Sequence, residues 1–324
     1  MIRPATRDAV AAAAEMIRRG EVVAFPTETV YGLGADATNP EAVARIFALK
    51  RRPAFDPLIV HIADRAMSAL VASAMPPAAR VLAERFWPGP LTLVLPKATA
   101  IPDIVTAGLP SVALRMPDHA VARALIEAAG TPIAAPSANL FGCVSPTTAA
   151  HVEAQLGALR LVLDGGPCRV GIESTIVSFV EEQAALLRPG GVTLEDIERL
   201  IGPLRIGTDP VRPVAPGQLP GHYAPRLPLA LVAMVADIPA AERAGAALLL
   251  PQPDADAEGF AHIELLSTDG ALTTVAATLF AALRRLEARP WRCIYAVAVP
   301  ESGLGRAIMD RLRRASAGAP AVQR

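Results

Sequence analysis

A lysine and two arginines stand together at a predicted helix end, shortly before an acidic residue and a histidine. Lys50, Arg51 and Arg52 end the helix, Asp56 follows, and His61 lies at the end of the next strand. Cations are favoured at a helix C-terminus in any case, which explains one or two of them. A triphosphate would use them better, because lysine supplies a point charge and arginine a planar fork for phosphate oxygens. The chain has no GxxxxGK[ST] motif, so this pattern indicates a phosphate site other than a P-loop.

Other segments place hydroxyl groups and glycines directly after predicted strands, where open α/β sheets bind their ligands. They are Pro26–Gly34 (PTETVYGLG), Pro136–Asn139 (PSAN), Gly171–Ile176 (GIESTI) and Leu187–Gly191 (LRPGG). Each of them taken alone is also explained as a tight loop or a helix cap. A nucleophilic Ser137 with Lys50 as its base is disfavoured, because no GxSxG or SxxK motif surrounds the serine.

The elements that must hold these segments alternate between helix and strand. Thr6 and Asn39 can cap helices that run to about Arg19 and Lys50. Strands are predicted at Glu21–Phe25, Leu58–Ile62, Leu91–Leu95, Val112–Met116, Ile133–Ala135, Leu161–Asp164, Thr175–Phe179 and Ala185–Arg188, and further helices at about Pro77–Phe86, His119–Ala129 and Leu194–Ile201. We therefore expect residues 1–205 to form a mixed α/β domain with many strands.

A proline-rich run separates this domain from a second one. Residues 206–228 contain six prolines and predict an extended linker, because proline fixes φ and removes a hydrogen-bond donor. The run also holds His222 and Tyr223, which a passive tether does not need. Beyond it, strands at Leu229–Met234, Ala246–Leu250, His262–Leu265 and Cys293–Val299 alternate with helices at about Thr273–Ala288 and Leu304–Ala315. Residues 229–324 therefore predict a smaller α/β domain with a parallel sheet.

Composition excludes several classes of protein. Of the 324 residues, 52% are hydrophobic and 19% are charged, so the chain can bury large cores and is not disordered. The 31 basic and 31 acidic residues cancel, which argues against a bulk basic surface for nucleic acid. The three cysteines show no metal or disulfide spacing. We find no signal peptide and no apolar run long enough for a membrane helix, so we expect a cytoplasmic protein.

Taken together, the motifs resemble one family. They are PTETVYGLG, the Lys50-x-Arg52 pair, PLIVHI (Pro57–Ile62), WPGPLTLVL (Trp87–Leu95), VxxRxP (Val112–Pro117), PSAN, GIESTIV (Gly171–Val177) and LRPG (Leu187–Gly190), in the order of the YrdC-domain family. The linker with HYAP (His222–Pro225) and a second α/β domain is similar to the two-domain branch, the L-threonylcarbamoyladenylate synthases. The resemblance covers essentially the whole chain. It implies a YrdC-like twisted mixed sheet with a concave cavity, plus a smaller Rossmann-like C-terminal domain.

The resemblance also implies an activity. Members of the family form L-threonylcarbamoyladenylate and pyrophosphate from L-threonine, bicarbonate and ATP, and we expect Mg²⁺ to accompany ATP. The product serves the threonylcarbamoyladenosine modification of tRNA, so downstream tRNA threonylcarbamoyl transferase proteins are the expected partners. No membrane is involved, and direct tRNA binding stays open.

Residue by residue, the motifs assign two sets of ligands. The positions that match threonine-binding ones are Thr29, His61, Arg115, the backbone of Ala135, and Ser174. The positions that match ATP-binding ones are Lys50, Arg52, Asp56, Ser111, Ser137, Asn139, Ser145, Arg188 and His222. Lys50 and Arg52 are the expected catalytic residues, because they can stabilise negative charge that develops on the phosphates. The metal ligands are not assigned.

Two departures from the family pattern affect the nucleotide side. Asp56 stands where asparagine is common, and a carboxylate beside phosphates is unfavourable unless it meets Mg²⁺ or a hydroxyl. The linker is also less basic before His222 than is usual in the family. We still expect the linker, with His222 and Tyr223, to close over the nucleotide. Because Lys50 ends a helix, we expect Lys50→Ala to lose most adenylate formation while the fold survives, at a cost of only tenths of a kcal/mol in stability.

Two alternatives remain from the sequence. One is a carbamoyl-adenylate-type transferase, since the YrdC domain also occurs in hydrogenase-maturation carbamoyltransferases, although this chain lacks their zinc-finger and acylphosphatase-like segments. The other is an RNA-binding module without catalysis, against which the net charge of zero argues weakly.

Replacement of Arg115 by alanine tests the threonine assignment. Loss of the carboxylate fork removes ground-state binding, so the KM for threonine should rise more than the KM for ATP. Steady-state kinetics with each substrate varied in turn measures both constants. A rise confined to ATP would show that Arg115 contacts the nucleotide instead.

Overall fold

The structure of the chain, a computed structural model, describes residues 1–157, 159–207, 215–217 and 222–318. It divides into two compact units. The first unit comprises residues 1–141, 146–169 and 173–219, and the second comprises residues 142–145, 170–172 and 220–324. The second unit thus takes two short segments from the sequence that we assigned to the first domain. The domain limits 1–205, 206–228 and 229–324 stay a prediction, and residues 208–214 and 218–221 of the linker lie outside the described residues.

The helices of the first unit begin where the sequence offers caps. The Thr6 hydroxyl accepts a hydrogen bond from the Ala9 amide, and the Asn39 side chain accepts from the amides of Glu41 and Ala42. The described helices are α1 (Arg7–Arg18), α2 (Pro40–Lys50), α3 (Ser68–Val71), α4 (Pro77–Phe86), α5 (Asp103–Thr106), α6 (Ala120–Ala129), α7 (Ala149–Leu156) and α8 (Leu194–Ile201). The predicted helices are therefore confirmed, while α3, α5 and α7 were not predicted.

The strands of the first unit form one mixed sheet. They are β1 (Ile2–Pro4), β2 (Val23–Phe25), β3 (Gly32–Asp36), β4 (Ile59–His61), β5 (Leu91–Pro96), β6 (Ser111–Arg115), β7 (Ile133–Ala134), β8 (Val162–Asp164), β9 (Thr175–Ser178), β10 (Ala185–Arg188) and β11 (Arg205–Ile206). Across the described residues their order in the sheet is β1-β8-β2-β3-β7-β4-β6-β5-β9-β10-β11. Every predicted strand of this domain is present, and the expected mixed α/β fold is confirmed.

One face of the sheet carries the main hydrophobic core. Successive strand residues point to opposite faces, so Val60, Leu93 and Leu114, which pair across β4, β5 and β6, share a face. They belong to a large buried cluster to which α2 and α4 contribute their apolar sides. Burial of this cluster anchors the three central strands and thereby fixes the direction of the residues between them.

The opposite face, which we call the site face, carries His61 and Arg115. Ile59 and Ala113 stand on it two residues earlier in their strands, and they form a smaller buried cluster with Ala215. Ala215 is therefore part of the first unit, although it comes from the predicted linker. Ala215 thus covers part of the site face.

The strand β3, which begins within PTETVYGLG, was not predicted from the sequence. A Cβ atom on Gly34 would lie 2.6 Å from Phe25 Cε1 and 2.7 Å from Ile133 Cγ2, closer than real Cβ atoms come. The missing side chain lets these two residues meet across the strand, and glycine is tolerated in a strand for such close approach. The sequence pattern did not indicate a strand here, because glycine is ordinarily rare in strands.

The second unit has a four-stranded sheet of its own. Its elements are β12 (Leu229–Val232), α9 (Ala240–Arg243), β13 (Ala247–Leu250), β14 (His262–Leu265), α10 (Leu272–Glu287), β15 (Ile294–Val297) and α11 (Leu304–Ala317), with a 3-10 turn at Val235–Asp237. The order β12-β15-β13-β14 is parallel throughout, which confirms the predicted parallel sheet. None of the described helices combines the length and the apolar character needed to cross a bilayer.

Replacement of Gly190 by alanine should destabilise the first unit. A Cβ atom there would lie 2.3 Å from the Ser174 carbonyl carbon and 2.3 Å from the Thr175 nitrogen, and backbone cannot move aside as a side chain can. We expect a loss of about 1–3 kcal/mol in the free energy of unfolding, measured by urea denaturation. Gly207→Ala is the matched control, because its nearest neighbour would be the Arg205 side chain at 3.7 Å. Equal effects of both substitutions would contradict the close approach at Gly190.

Candidate active site

Strand register brings three polar side chains together on the site face. His61 on β4 pairs with Arg115 on β6, and Arg115 pairs in turn with Thr92 on β5. Residues that pair across a ladder point to the same face, with Cβ atoms about 4.5–5.5 Å apart. All three side chains are buried. A histidine, an arginine and a threonine therefore stand side by side in a place shielded from water.

A carboxylate that the sequence analysis did not assign lies against this arginine. Glu28 Oε1 is 2.7 Å from Arg115 Nη2, and both side chains are at most 4% exposed. The Arg115 Nε group donates a 3.3 Å hydrogen bond to the Gly89 carbonyl. Within the described residues, neither Glu28 oxygen accepts a well-aligned hydrogen bond. The only signal in the sequence was that Glu28 is the one charged residue of PTETVYGLG.

The loop that carries Glu28 is held by its own hydroxyl groups. Thr27 Oγ1 donates to the Val30 carbonyl at 2.6 Å and lies 2.8 Å from Thr29 Oγ1. Thr27 Oγ1 also accepts from the amides of Thr29 and Val30 at 3.2 Å. Thr29 is completely buried. The predicted threonine ligand Thr29 is thus fixed in place by a local network rather than left in a mobile loop.

Backbone hydrogen bonds join this loop to the predicted PSAN segment. The Leu33 amide donates to the Pro136 carbonyl and the Ala138 amide donates to the Tyr31 carbonyl, each at 2.8 Å. The Ala135 amide donates to the Ile59 carbonyl at 2.9 Å, which places Ala135 beside β4. Two motifs that are far apart in sequence therefore meet at one edge of the site.

His61 is held in its neutral form. Burial and, to a lesser extent, the nearby positive charge of Arg115 lower the pKa of His61 to about 3. Its ring stands edge-on to Phe25 with 6.3 Å between the ring centroids. In the described part of the chain His61 Nδ1 has no hydrogen-bond partner. A neutral imidazole can exchange a hydrogen bond with a hydroxyl group but adds no charge to the site.

Ser174 and Arg188 form the other side of the site. Ser174 Oγ lies 2.7 Å from Thr92 Oγ1, and Arg188 Nη2 donates to the Ser174 carbonyl at 2.9 Å and to Ser174 Oγ at 3.2 Å. Arg188 Nη1 also donates to the Pro216 carbonyl at 3.1 Å. The predicted threonine ligand Ser174 therefore touches the predicted ATP ligand Arg188.

The expected catalytic pair Lys50 and Arg52 is buried and already engaged. Lys50 Nζ donates to the carbonyls of Ser137 and Asn139 at 2.5 and 2.6 Å. Arg52 donates to the carbonyls of Asp56 and Pro57 at 3.0 and 2.7 Å. The expectation that truncation of Lys50 costs only tenths of a kcal/mol is revised, because Lys50 is only 1% exposed and its ammonium group is hydrogen-bonded to two carbonyls. Its ammonium group fixes the backbone of the PSAN segment.

Asp56 lies among the cations predicted to bind ATP. Its Oδ2 is 2.9 Å from Arg52 Nη2. Burial raises the pKa of the Asp56 carboxyl, even though Arg52, Lys50 and Arg188 attract its charged form. Among the described residues, neither of its oxygens accepts a well-aligned hydrogen bond. Arg52 therefore contacts the Asp56 carboxylate directly, while Lys50 and Arg188 act on it through their charges.

Some predicted ligands stand apart from this group. Ser111 begins β6 on the site face, four residues before Arg115 and so roughly 13 Å along the strand. Ser145 and His222 belong to the second unit, and their assignment to ATP stays a prediction. Tyr223 is buried there, stacked on Phe280 with 5.5 Å between ring centroids. This packing argues against the expectation that Tyr223 lies on the nucleotide.

This fold and site define an α/β enzyme of the YrdC type with an added C-terminal unit. Residues 15–190 match the model of the Sua5, YciO and YrdC family, described as telomere recombination. Residues 192–317 match the model described as the threonylcarbamoyl-AMP synthase C-terminal domain. The chain belongs to the two-domain branch of this family, the threonylcarbamoyl-AMP synthases, as the sequence motifs predicted.

Known relatives agree over nearly the full length. The threonylcarbamoyl-AMP synthase of Bacillus subtilis is 44% identical over 322 residues, which span 95% of this chain and 93% of that protein. The protein of the same name from Pyrococcus abyssi is also 44% identical, over 94% of this chain and 93% of its own. The crystal structure of P. abyssi Sua5 complexed with L-threonine superposes with a TM-score of 0.87 at 42% identity, covering 95% of this chain and 94% of that one.

Replacement of Lys50 by alanine should lower stability as well as activity. Two buried carbonyls lose a charged donor, so we expect about 1–3 kcal/mol less free energy of unfolding. Product formation should fall on the order of 100-fold, because a charge beside the phosphates is lost. Lys97→Ala is the control, since Lys97 pairs with the exposed Asp103. Thermal unfolding and product formation measure both effects, and an unchanged melting temperature would contradict the structural role.

Proposed function

We propose that the chain forms threonylcarbamoyl-AMP and pyrophosphate from L-threonine, bicarbonate and ATP. The observation that carries this proposal is a buried arginine that pairs across the sheet with a neutral histidine, together with the buried Asp56, which contacts Arg52 and lies in the field of Lys50 and Arg188. Such a site suits an amino acid on one side and a polyphosphate on the other. The names of the B. subtilis and P. abyssi relatives, and the threonine in the P. abyssi structure, support it.

The charge and polarity of each side chain indicate which part of threonine it would bind. The Arg115 guanidinium would bind the carboxylate, because an arginine fork matches two carboxylate oxygens. The neutral His61 and the hydroxyls of Thr29 and Ser174 would bind the polar side chain. The Ala135 carbonyl would accept from the amino group. Glu28 holds the Arg115 guanidinium in position from one side, and the Gly89 carbonyl holds it from another.

The reaction needs no covalent enzyme intermediate. The threonine nitrogen attacks CO₂ derived from bicarbonate and loses a proton, which leaves a carbamate. A carbamate oxygen then attacks the α-phosphorus of ATP, and pyrophosphate leaves with the electron pair of the broken P–O bond. The positive charges of Lys50, Arg52 and Arg188 would stabilise the charge that develops on the phosphate oxygens. Because buried partners already orient these cations, little reorganisation accompanies the reaction.

Mg²⁺ would accompany ATP in this site. Among the described residues, no group of three or more His, Cys, Asp or Glu side chains forms a metal site. The Asp56 oxygens without aligned hydrogen bonds fit a cation that prefers oxygen ligands and draws the rest from phosphates. When bound, Mg²⁺ would neutralise part of the phosphate charge. Asp56 would hold it there, and the carboxylate would then no longer repel the nucleotide.

The product would serve tRNA modification in the cytoplasm, where ATP and tRNA occur together. A labile mixed anhydride must pass to a protein that transfers its threonylcarbamoyl group to tRNA. Downstream transferase proteins are therefore the proposed partners. Residues Ser111, Ser137, Asn139, Ser145 and His222 complete the proposed ATP contacts.

Product analysis tests the function directly. The full chain is mixed with ATP, Mg²⁺, bicarbonate and L-threonine, and we expect threonylcarbamoyl-AMP by mass spectrometry together with equimolar pyrophosphate. Omission of bicarbonate or threonine should abolish both, because each supplies atoms of the product. Pyrophosphate release without threonine would contradict the proposal. Salt-dependent RNA binding without turnover would favour the RNA-binding alternative.

A further inference from the structure

One face of helix α10 contacts three separate segments of the chain. Ala277, Phe280 and Arg284 are spaced by three and four residues, so they lie on the same side of the helix. The segments that they contact are Gly142–Ser145, Val170–Ile172 and His222–Tyr223, and all belong to the second unit. We call Ala277, Phe280 and Arg284 the α10 stripe. Each contact is of a different physical kind.

Arg284 holds the first segment by its backbone. Arg284 is 8% exposed, and its Nη2 donates to the Val144 carbonyl while its Nε donates to the Ser145 carbonyl at 3.3 Å. In the described part of the chain, both of its hydrogen-bond acceptors are thus main-chain oxygens. The Ala224 amide donates to the Gly142 carbonyl at 3.0 Å and fixes the other end of the segment. Ser145 is completely buried as a result.

Ala277 holds the second segment by close approach. Gly171 has a φ of +74°, and a Cβ atom on it would lie 2.4 Å from Ala277 Cα and 2.5 Å from the Ala277 carbonyl oxygen. Only glycine permits both that conformation and that distance. The segment therefore rests directly on the helix backbone, two residues before Glu173 and three before Ser174.

Phe280 holds the third segment by ring stacking. The Tyr223 ring lies 26° from parallel to Phe280, and the Arg311 guanidinium covers Tyr223 at 5.2 Å from the ring centroid. The His222 ring stands at 71° to Tyr223 with 5.5 Å between centroids. Tyr223 therefore serves as the packed anchor that sets the position of His222.

We propose that the α10 stripe is a positioning device for the substrate-binding segments, and that Arg284 is the positioning residue for Ser145. This inference rests on the proposed function, because the stripe fixes the segments that hold Ser145 and His222 and that lead to Ser174. Arg284 is itself too buried among backbone carbonyls to act as a ligand. Through α10 the second unit would then hold the segments that carry Ser145 and His222 in defined positions.

The test uses Arg284→Lys in the full chain. Lysine keeps the charge but is a point donor, so it cannot fork to both carbonyls as arginine does. We expect the KM for ATP to rise roughly tenfold, with smaller changes in the KM for threonine and in the melting temperature. Arg285→Lys is the matched control, because Arg285 is exposed and pairs with Glu264. An ATP KM no different from that of the control would overturn the proposal.

A double-mutant cycle separates positioning from general stability. If Arg284 acts through Ser145, the double variant Arg284→Lys/Ser145→Ala should have nearly the same KM for ATP as Ser145→Ala alone. Both substitutions would impair the same contact between Ser145 and ATP. Full additivity would overturn the proposal. Should Arg284→Lys not fold, Phe280→Leu alters the same stripe without leaving a buried charge and is expected to raise the ATP KM. An unchanged ATP KM in Phe280→Leu would then count against the stripe.

Hydrogen exchange provides a readout that does not depend on turnover. In Arg284→Lys the backbone amides of residues 142–147 should exchange faster, while those of β13 and β15 stay protected. Unchanged exchange in residues 142–147, or uniform acceleration through the second unit, would overturn the proposal. If wild type makes no product, only the proposed function fails, because the exchange result still decides whether Arg284 fixes this segment.

Discussion

The cost of burying positive charge is the constraint on which the first unit depends. Four cationic side chains on or beside the site face are buried, namely Lys50, Arg52, Arg115 and Arg188. Each would cost several kcal/mol if it were left without partners. The fold compensates them in two ways: carboxylates of Glu28 and Asp56 lie against two of the arginines, and main-chain carbonyls accept from all four. The loops around the site therefore adopt conformations that place carbonyl and carboxylate groups against these cations.

This compensation also prepares the site for anions. Arg115 Nη2 contacts Glu28 at 2.7 Å but forms no well-aligned hydrogen bond within the described residues. Charge–charge attraction depends mainly on distance, whereas a hydrogen bond also requires direction. Glu28 thus stabilises the positive charge of the guanidinium, and in the proposed function a ligand carboxylate would meet a side chain that is already held in place. A side chain that is already ordered loses little conformational entropy on binding.

Many elements of the fold and several residues of the candidate site could be predicted from the sequence. Other contacts could not be predicted, for physical reasons. Helix α2 was predictable because Asn39 and Pro40 mark its start and Lys50 its end. The strands β4 and β6 were predictable from their apolar runs, and family motifs then supplied His61 and Arg115. The Lys50 acceptors were hidden, because the carbonyls of residues 137 and 139 carry no signal in the sequence. Glu28 was hidden for a related reason, since its role depends on a partner 87 residues away.

The same limit explains why the sequence predicts the second unit as a separate domain. Position in the sequence places Gly142–Ser145 and Val170–Ile172 in the predicted first domain. In the structure both segments pack against α10, more than 100 residues later. A glycine with positive φ is ambiguous by itself, and only the helix backbone 2.4 Å from where a Cβ atom would lie explains Gly171. A chain that ended at residue 205 would lack Ala277 and Arg284, so both early segments would lose their partners. The second unit therefore supplies the packing partners of two segments that lie, in sequence, within the predicted first domain.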